Sequence, residues 1–323
     1  MRPVGPPNTG VRHAPARHLQ GITEPDDLAP AVLRRLRRRF DRRRQVIIYG
    51  KGGDVEFKGG KQGVKGRTRN GDHPTMVAEV VLTGPFASHV YSLAGPGTSS
   101  AGPVFVLLHG IGMSHRYYRR LQTLLAGHGD TYSIDLPGFG AAAKPDRQMS
   151  VEEYAAVIAS TLETLGTGPV VVVGHSMGAQ FATELAVLCP ELVSHVVLIG
   201  PVVNSAHRSV LRQSLALGLD SLRESPSGNA IVCADYVRCG PRWYLTELPV
   251  MMSYDLEARL TEVHQPVLVV RGSRDPVASR SWCLRLTAVT PNARFLEVPG
   301  APHIVQYGAA GPMAAGILSL IQQ

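Results

Sequence analysis

The chain has 323 residues, 44% hydrophobic and 18% charged, with a net charge of +8 and a mean hydropathy of +0.01. That balance excludes a fibrous or wholly disordered chain and fits a globular protein with an ample core. No apolar run approaches the roughly twenty residues that span a bilayer. The N-terminus carries charge without the apolar segment of a secretory signal, so a cytoplasmic location is expected.

The charge is uneven. The first 75 residues hold 17 Lys+Arg against 7 Asp+Glu, and the remainder is close to neutral. Residues 1–75 are therefore expected to be a basic, flexible extension. They are Pro- and Gly-rich at the start and Gly- and Lys-rich over 50–71. Within them, residues 28–44 read as a basic amphipathic helix, with Val32, Leu36 and Phe40 on one face and eight arginines on the others. The arm is either a solvated tail or a weak contact for an anionic surface. Specific nucleic-acid binding is not expected. Nothing before Met76 reads as a strand, which leaves 76–323 as the folded body.

From Met76 the pattern alternates. Residues 77–82 and 88–94 read as a first pair of strands. Residues 104–108 form an apolar strand that runs into His109-Gly110-Ile111-Gly112. A helix over 117–126 precedes a strand over 131–135, which ends in the turn Asp135-Leu136-Pro137-Gly138-Phe139-Gly140. A second helix covers 151–165, with Ser150 and Glu153 spaced as a capping box. The strand at 170–173 enters Gly174-His175-Ser176-Met177-Gly178 and then a helical pattern carrying Phe181, Leu185 and Leu188. Further strands read at 195–199, 266–270 and 295–298. The expectation is an α/β protein: a mainly parallel eight-stranded sheet with helices on both faces. Ligands gather at the carboxyl ends of such strands. Residues 203–263 break the rhythm and read as a helical cap, whose Tyr236, Trp243, Tyr244, Met251, Met252 and Tyr254 are candidates to line an apolar pocket, Trp243, Tyr244 and Met252 as substrate contacts. Cys189, Cys233, Cys239 and Cys283 lack zinc-ligand spacing. They read as reduced thiols, with a Cys233–Cys239 bridge as the alternative.

The chemistry sits at the strand ends. A serine at the apex of a strand–turn–helix is held above the sheet, and glycines at 174 and 178 let the helix close on the strand. The next amide, that of Met177, faces the same space. The amide of Ile111, in the His-Gly loop, is the second candidate donor for an oxyanion. Asp275 follows the strand at 266–270, and His303 lies in a Gly- and Pro-rich loop after the last strand. His109 and His175 flank the serine and read as structural neighbours, His109 also being a candidate substrate contact. The end of the strand at 195–199 reads Gly200-Pro201-Val202-Val203-Asn204 and offers no carboxylate.

With Ser176, Asp275 and His303 in that order, the chain resembles the α/β-hydrolase-fold superfamily of serine esterases and lipases from residue 77 onward. The resemblance implies Ser176 as nucleophile, His303 as base and Asp275 as its orienting acid. It also implies an oxyanion hole at Ile111 and Met177, a small acyl substrate, and no metal or organic cofactor. A serine at 176 argues against dehalogenase or epoxide hydrolase chemistry, which needs a carboxylate there. Carbon–carbon bond hydrolysis, acyl transfer, thioester or lactone hydrolysis and perhydrolysis share the same groups. A ligand-binding receptor or scaffold with this fold is the non-enzymatic alternative.

Overall fold

Two periodicities generate the architecture seen in the computed structural model, which describes residues 42–48, 56–58, 76–96, 102–205 and 208–322. The strands are β1 (Arg42–Ile48), β2 (Glu56–Lys58), β3 (Val77–Thr83), β4 (Phe86–Leu93), β5 (Val104–Leu108), β6 (Asp130–Asp135), β7 (Val170–His175), β8 (Val193–Ile199), β9 (Val267–Gly272) and β10 (Ala293–Val298). They form one sheet in the order β10-β9-β8-β7-β5-β6-β4-β3-β1-β2. From β10 to β6 all pairings are parallel, and from β6 outward through β4, β3, β1 and β2 they are antiparallel. Eight of the strands belong to residues 76–323, as the sequence pattern predicts.

The other two do not. Residues 42–48 pair antiparallel with β3, Arg42 opposite Thr83 and Gln45 opposite Val80. The helix read over 28–44 is thus corrected at its end, where 42–44 are strand; residues 28–41 lie outside the described residues. An unpaired edge of β3 offers a row of free N–H and C=O groups. The β-branched run Val46-Ile47-Ile48 favours an extended partner over a helix. The expectation that no strand precedes Met76 is corrected by the same pairing.

Ten α-helices lie among the described residues, besides short 3₁₀ turns at His115–Tyr118 and Pro190–Leu192: α1 (Arg119–Leu125), α2 (Val151–Leu165), α3 (Met177–Leu188), α4 (Val210–Ser221), α5 (Pro226–Cys239), α6 (Pro241–Ser253), α7 (Leu256–Leu260), α8 (Arg280–Val289), α9 (Val305–Gly308) and α10 (Ala310–Ile321). Strand β7 shows why its valines run without polar interruption. Val170 and Val172 point into one core with Phe181 and Leu185 of α3, and Val171 and Val173 point into the other with Tyr117 and Ile317. A strand covered on both faces has no solvent side to reserve for polar residues. The capping box at α2 is present in full: Ser150 accepts from the Glu153 amide, and the Glu153 carboxylate accepts from the Ser150 amide.

Helices α4, α5 and α6 interrupt the sheet between β8 and β9 and cover the carboxyl ends of the strands. Buried polar bonds fasten them. Gln180 of α3 donates through Nε2 to the carbonyls of Val202 (3.0 Å) and Met251 (2.9 Å). The buried Glu247 accepts the Met149 amide at 3.2 Å. All four cysteines are free thiols, and Cys233 and Cys239 both lie on α5. Among the described residues no helix is long and apolar enough to cross a membrane.

Candidate active site

Ser176 stands at the junction of β7 and α3 with φ 56° and ψ −118°, a conformation that L-residues rarely adopt. The flanking glycines permit it. A Cβ on Gly174 would lie 2.1 Å from the Gly178 carbonyl oxygen, and one on Gly178 would lie 2.2 Å from the Leu108 oxygen of β5. The Ser176 amide donates to the Ile199 carbonyl at 2.9 Å, which ties the turn to β8. Met177 is the first residue of α3. Its amide belongs to the opening turn, where N–H groups have no intrahelical acceptor. Ile111 follows β5 and lines the same cavity as Ser176.

The structure brings His303 and Asp275 together. His303 Nδ1 donates to Asp275 Oδ2 at 2.8 Å, and both side chains are buried. Asp275 Oδ1 accepts the amides of Val277 (2.7 Å) and Ala278 (3.0 Å). Arg271 of β9 braces this loop by donating to the carbonyls of Asp275 (2.9 Å) and Ala278 (2.8 Å). Burial disfavours the charged imidazolium, but the Asp275 carboxylate and its hydrogen bond outweigh it. Asp220 and Glu224 add to the attraction, and the His303 pKa is raised to about 9. His303 Nε2 lines the Ser176 cavity, buried, with no hydrogen-bond partner among the described residues, Ser176 included. Such bonds are often long or misaligned before substrate binds.

Gly200 makes the His303–Asp275 pair possible. With φ 52°, its missing Cβ would stand 2.8 Å from His303 Cε1 and 2.9 Å from Nδ1. Gly200→Ala is expected to displace the imidazole and lower hydrolytic turnover by about 100-fold, with the far-ultraviolet circular dichroism unchanged. Full turnover in this variant would show that the His303 position is not critical.

His109 and His175, which flank Ser176 in the sequence reading, have both ring nitrogens hydrogen-bonded. His175 Nε2 donates to the His303 carbonyl at 3.2 Å, and its Nδ1 accepts from the Tyr117 hydroxyl at 2.9 Å. Tyr117 in turn accepts the Gly110 amide at 2.9 Å. Burial and the neighbouring His303 hold the His175 pKa well below its usual value. This relay links the His303 loop to the Gly110-Ile111 loop. His109 donates through Nδ1 to the Gly110 carbonyl (2.8 Å) and accepts the Leu136 amide at Nε2 (3.1 Å). With both nitrogens engaged inside the core, it is not the substrate contact expected from sequence. Asp135 is likewise a clamp, accepting the amides of His115 (2.7 Å) and Ala141 (3.0 Å).

The cavity encloses about 600 Å³, its open mouth included. Its cap side is built by Leu217, Asp220, Glu224, Val232, Tyr236 and Met251, among others. Of the cap residues expected there, Tyr236 and Met251 line the cavity, and Trp243, Tyr244 and Met252 lie elsewhere. Trp243 is buried under the 137–140 turn, edge-on to Phe139 at 6.4 Å, where it fills the space left by Gly138. Tyr244 packs edge-on behind Tyr236 at 5.6 Å, and Met252 packs on the core of the body. An apolar cap helix divides its large side chains between its own support and the cleft, and spacing alone does not say which face is which. Asp220 and Glu224 escaped the sequence reading altogether. Asp220 Oδ1 accepts the His303 amide at 2.9 Å, and Glu224 Oε1 accepts the Ile304 amide at 2.8 Å.

A strained serine between β7 and α3, facing a buried His–Asp pair across a capped parallel sheet, defines a hydrolase of the α/β class. The profile of the alpha/beta hydrolase family matches residues 105–315, and the chain belongs to that family. A 2-(acetamidomethylene)succinate hydrolase of Mesorhizobium japonicum is 26% identical over 230 residues, 64% of this chain and 83% of its own. A pimeloyl-[acyl-carrier protein] methyl ester esterase of Xanthomonas oryzae pv. oryzae is 23% identical over 67% of this chain and 94% of its own. Among solved structures, the enol-lactonase from Burkholderia xenovorans LB400 shares the fold at a TM-score of 0.64, with 18% identity over 74% of this chain and 97% of its own.

Proposed function

We propose that this hydrolase cleaves a carboxylic ester or related acyl substrate through an acyl-enzyme on Ser176. The observation that carries the reading is the His303–Asp275 pair, whose second ring nitrogen opens unpartnered into the cavity that Ser176 lines. Neutral His303 takes the hydroxyl proton at Nε2 as Ser176 Oγ attacks the acyl carbon. Asp275 keeps the proton on Nδ1 and stabilises the imidazolium that forms. The amides of Ile111 and Met177 receive the oxyanion, a contribution of about 3 kcal/mol per donor. The imidazolium protonates the leaving alkoxide, and water then releases the acid by the same steps in reverse roles. Against a binding-only role stands the strain at Ser176. A pure receptor gains nothing from holding a serine at positive φ.

The test is covalent. Incubation with a fluorophosphonate followed by peptide mapping is expected to place the label on Ser176, and excess p-nitrophenyl butyrate should slow labelling. An unlabelled Ser176 in folded protein would remove the reading.

A further inference from the structure

The charge of the Ser176 cavity sets a limit on its substrate. Among the described residues lining it, two, Asp220 and Glu224, are carboxylates, and none is Lys or Arg. Each commits one oxygen to a backbone amide of the His303 loop, Asp220 Oδ1 to His303 and Glu224 Oε1 to Ile304. The second oxygen of each has no hydrogen-bond partner among the described residues and is not sealed in the protein interior. Arg223, between them in sequence, is exposed and donates to the Arg274 carbonyl at 2.8 Å. The remaining cap side of the cavity mixes apolar Leu217, Val232 and Met251 and the ring of Tyr236 with the uncharged Gln213, Ser221 and Asn229. The cavity is marked as a ligand site independently of its acids by His303, 3% exposed, whose Nε2 is aimed into it without a partner.

From this arrangement we infer that Asp220 and Glu224 are specificity determinants that select acyl substrates carrying a cationic group, such as an ammonium, and reject carboxylates. The inference rests on the reading of this cavity as the reaction site. Protonated His303 attracts both carboxylates, and Arg223 also attracts Asp220; where His303 is neutral its attraction is lost, and a bound cation replaces it. A substrate carboxylate in the same place adds repulsion in a medium that screens less than water. Burial raises the pKa of both acids, that of Glu224 to about 7. The pKa of Glu224, about 7, lies below that of His303, about 9, so Glu224 is ionised where the base is neutral. The inference separates this chain from its relative named for a succinate. Succinate carries two carboxylates, and among the described residues this cavity has no Lys or Arg to receive them.

Two arms keep the substrate class and the reaction distinguishable. In the first, Ser176→Ala protein is titrated calorimetrically at pH 8 with phenethyltrimethylammonium and with 3-phenylpropanoate, which are similar in shape and opposite in charge. The ammonium is expected to bind at least about tenfold more tightly, with the preference shrinking in 0.5 M salt. It should also shrink when Asp220→Asn or Glu224→Gln is added. Equal affinities, a preference for the carboxylate, or a preference unmoved by salt and by both substitutions would overturn the inference. The comparison of the two ligands on Ser176→Ala protein with an unsubstituted cap, and its salt dependence, stand even if a substituted cap fails to fold. In the second arm, the active protein is given p-nitrophenyl esters of 4-(trimethylammonio)butanoate, hexanoate and glutarate, and kcat/KM is expected to fall in that order. Turnover without charge order would overturn the inference and leave the ester hydrolase reading intact. Ammonium binding without turnover of any ester would remove that reading, and with it the selection of acyl substrates, and leave only the cation preference of the cavity.

Discussion

Ser176→Ala is expected to lower turnover of p-nitrophenyl butyrate by roughly 10⁴- to 10⁶-fold and to leave the melting temperature nearly unchanged. The loss follows from the chemistry: without Oγ no acyl-enzyme forms, and only oriented water in an intact cavity remains. The stability expectation follows from the structure. The Ser176 side chain caps no helix amide and has no hydrogen-bond partner among the described residues. Removing its oxygen therefore forfeits no intramolecular bond. Alanine keeps a Cβ at φ 56°, so the strain of the elbow is kept as well. Ser176→Gly separates the two effects. It should be equally inactive yet melt a few degrees higher, because strain of about 1–3 kcal/mol is relieved against about 0.5–1 kcal/mol of glycine entropy. Residual activity of the alanine variant within tenfold of the parent would take Ser176 out of the reaction. A glycine variant less stable than the alanine one would mean that the elbow is not strained.

How far such expectations reach depends on what kind of information a residue carries locally. The valines of β7, the capping box at Ser150 and Glu153, and the glycines around Ser176 each state their role within a few positions. All three are legible because burial on two faces, cap geometry and close backbone approach act over short range. The ordered spacing of Ser176, Asp275 and His303 along the strand ends was legible for the same reason. Strand β1 was not. Its arginines continue the basic helical pattern of the preceding segment, and its extended form is set by the edge of β3, about 35 residues away in sequence. The cap was legible as an insertion and opaque as a lining. Trp243 and Met251 sit on one helix at a spacing of eight, yet one supports the 137–140 turn and the other faces the cavity. Asp220 and Glu224 look like ordinary surface acids around a helix end. Only the fold reveals that they hold the loop of His303. The Tyr117–His175 relay is of the same kind: two unremarkable side chains joined because the segment after β5, the end of β7 and the last loop converge.

Asp275→Asn is expected to lower kcat by about 10⁴-fold with the fold retained, and the reason lies in the donors around it. Two backbone amides, those of Val277 and Ala278, point at Oδ1, while Oδ2 receives His303 Nδ1–H. An asparagine has one oxygen. The two amides hold it at the Oδ1 position, since an NH₂ group there would meet two donors. The NH₂ group then faces His303 and donates to Nδ1, which moves the imidazole proton to Nε2. That tautomer cannot accept a proton from Ser176. The pH profile carries the second signature. In the parent, His303 must be neutral to act, and its pKa of about 9 means that kcat/KM falls as the pH drops below that value, by about tenfold per unit once well below it. Loss of the Asp275 charge removes the largest attraction for the imidazolium, so the acid limb of the residual activity should move to lower pH. Initial rates from pH 5 to 10 on both proteins decide the matter. An asparagine variant that keeps most of its activity would show that another carboxylate orients His303. One that is slow but keeps its acid limb near pH 9 would show that Asp275 positions the ring without setting its charge.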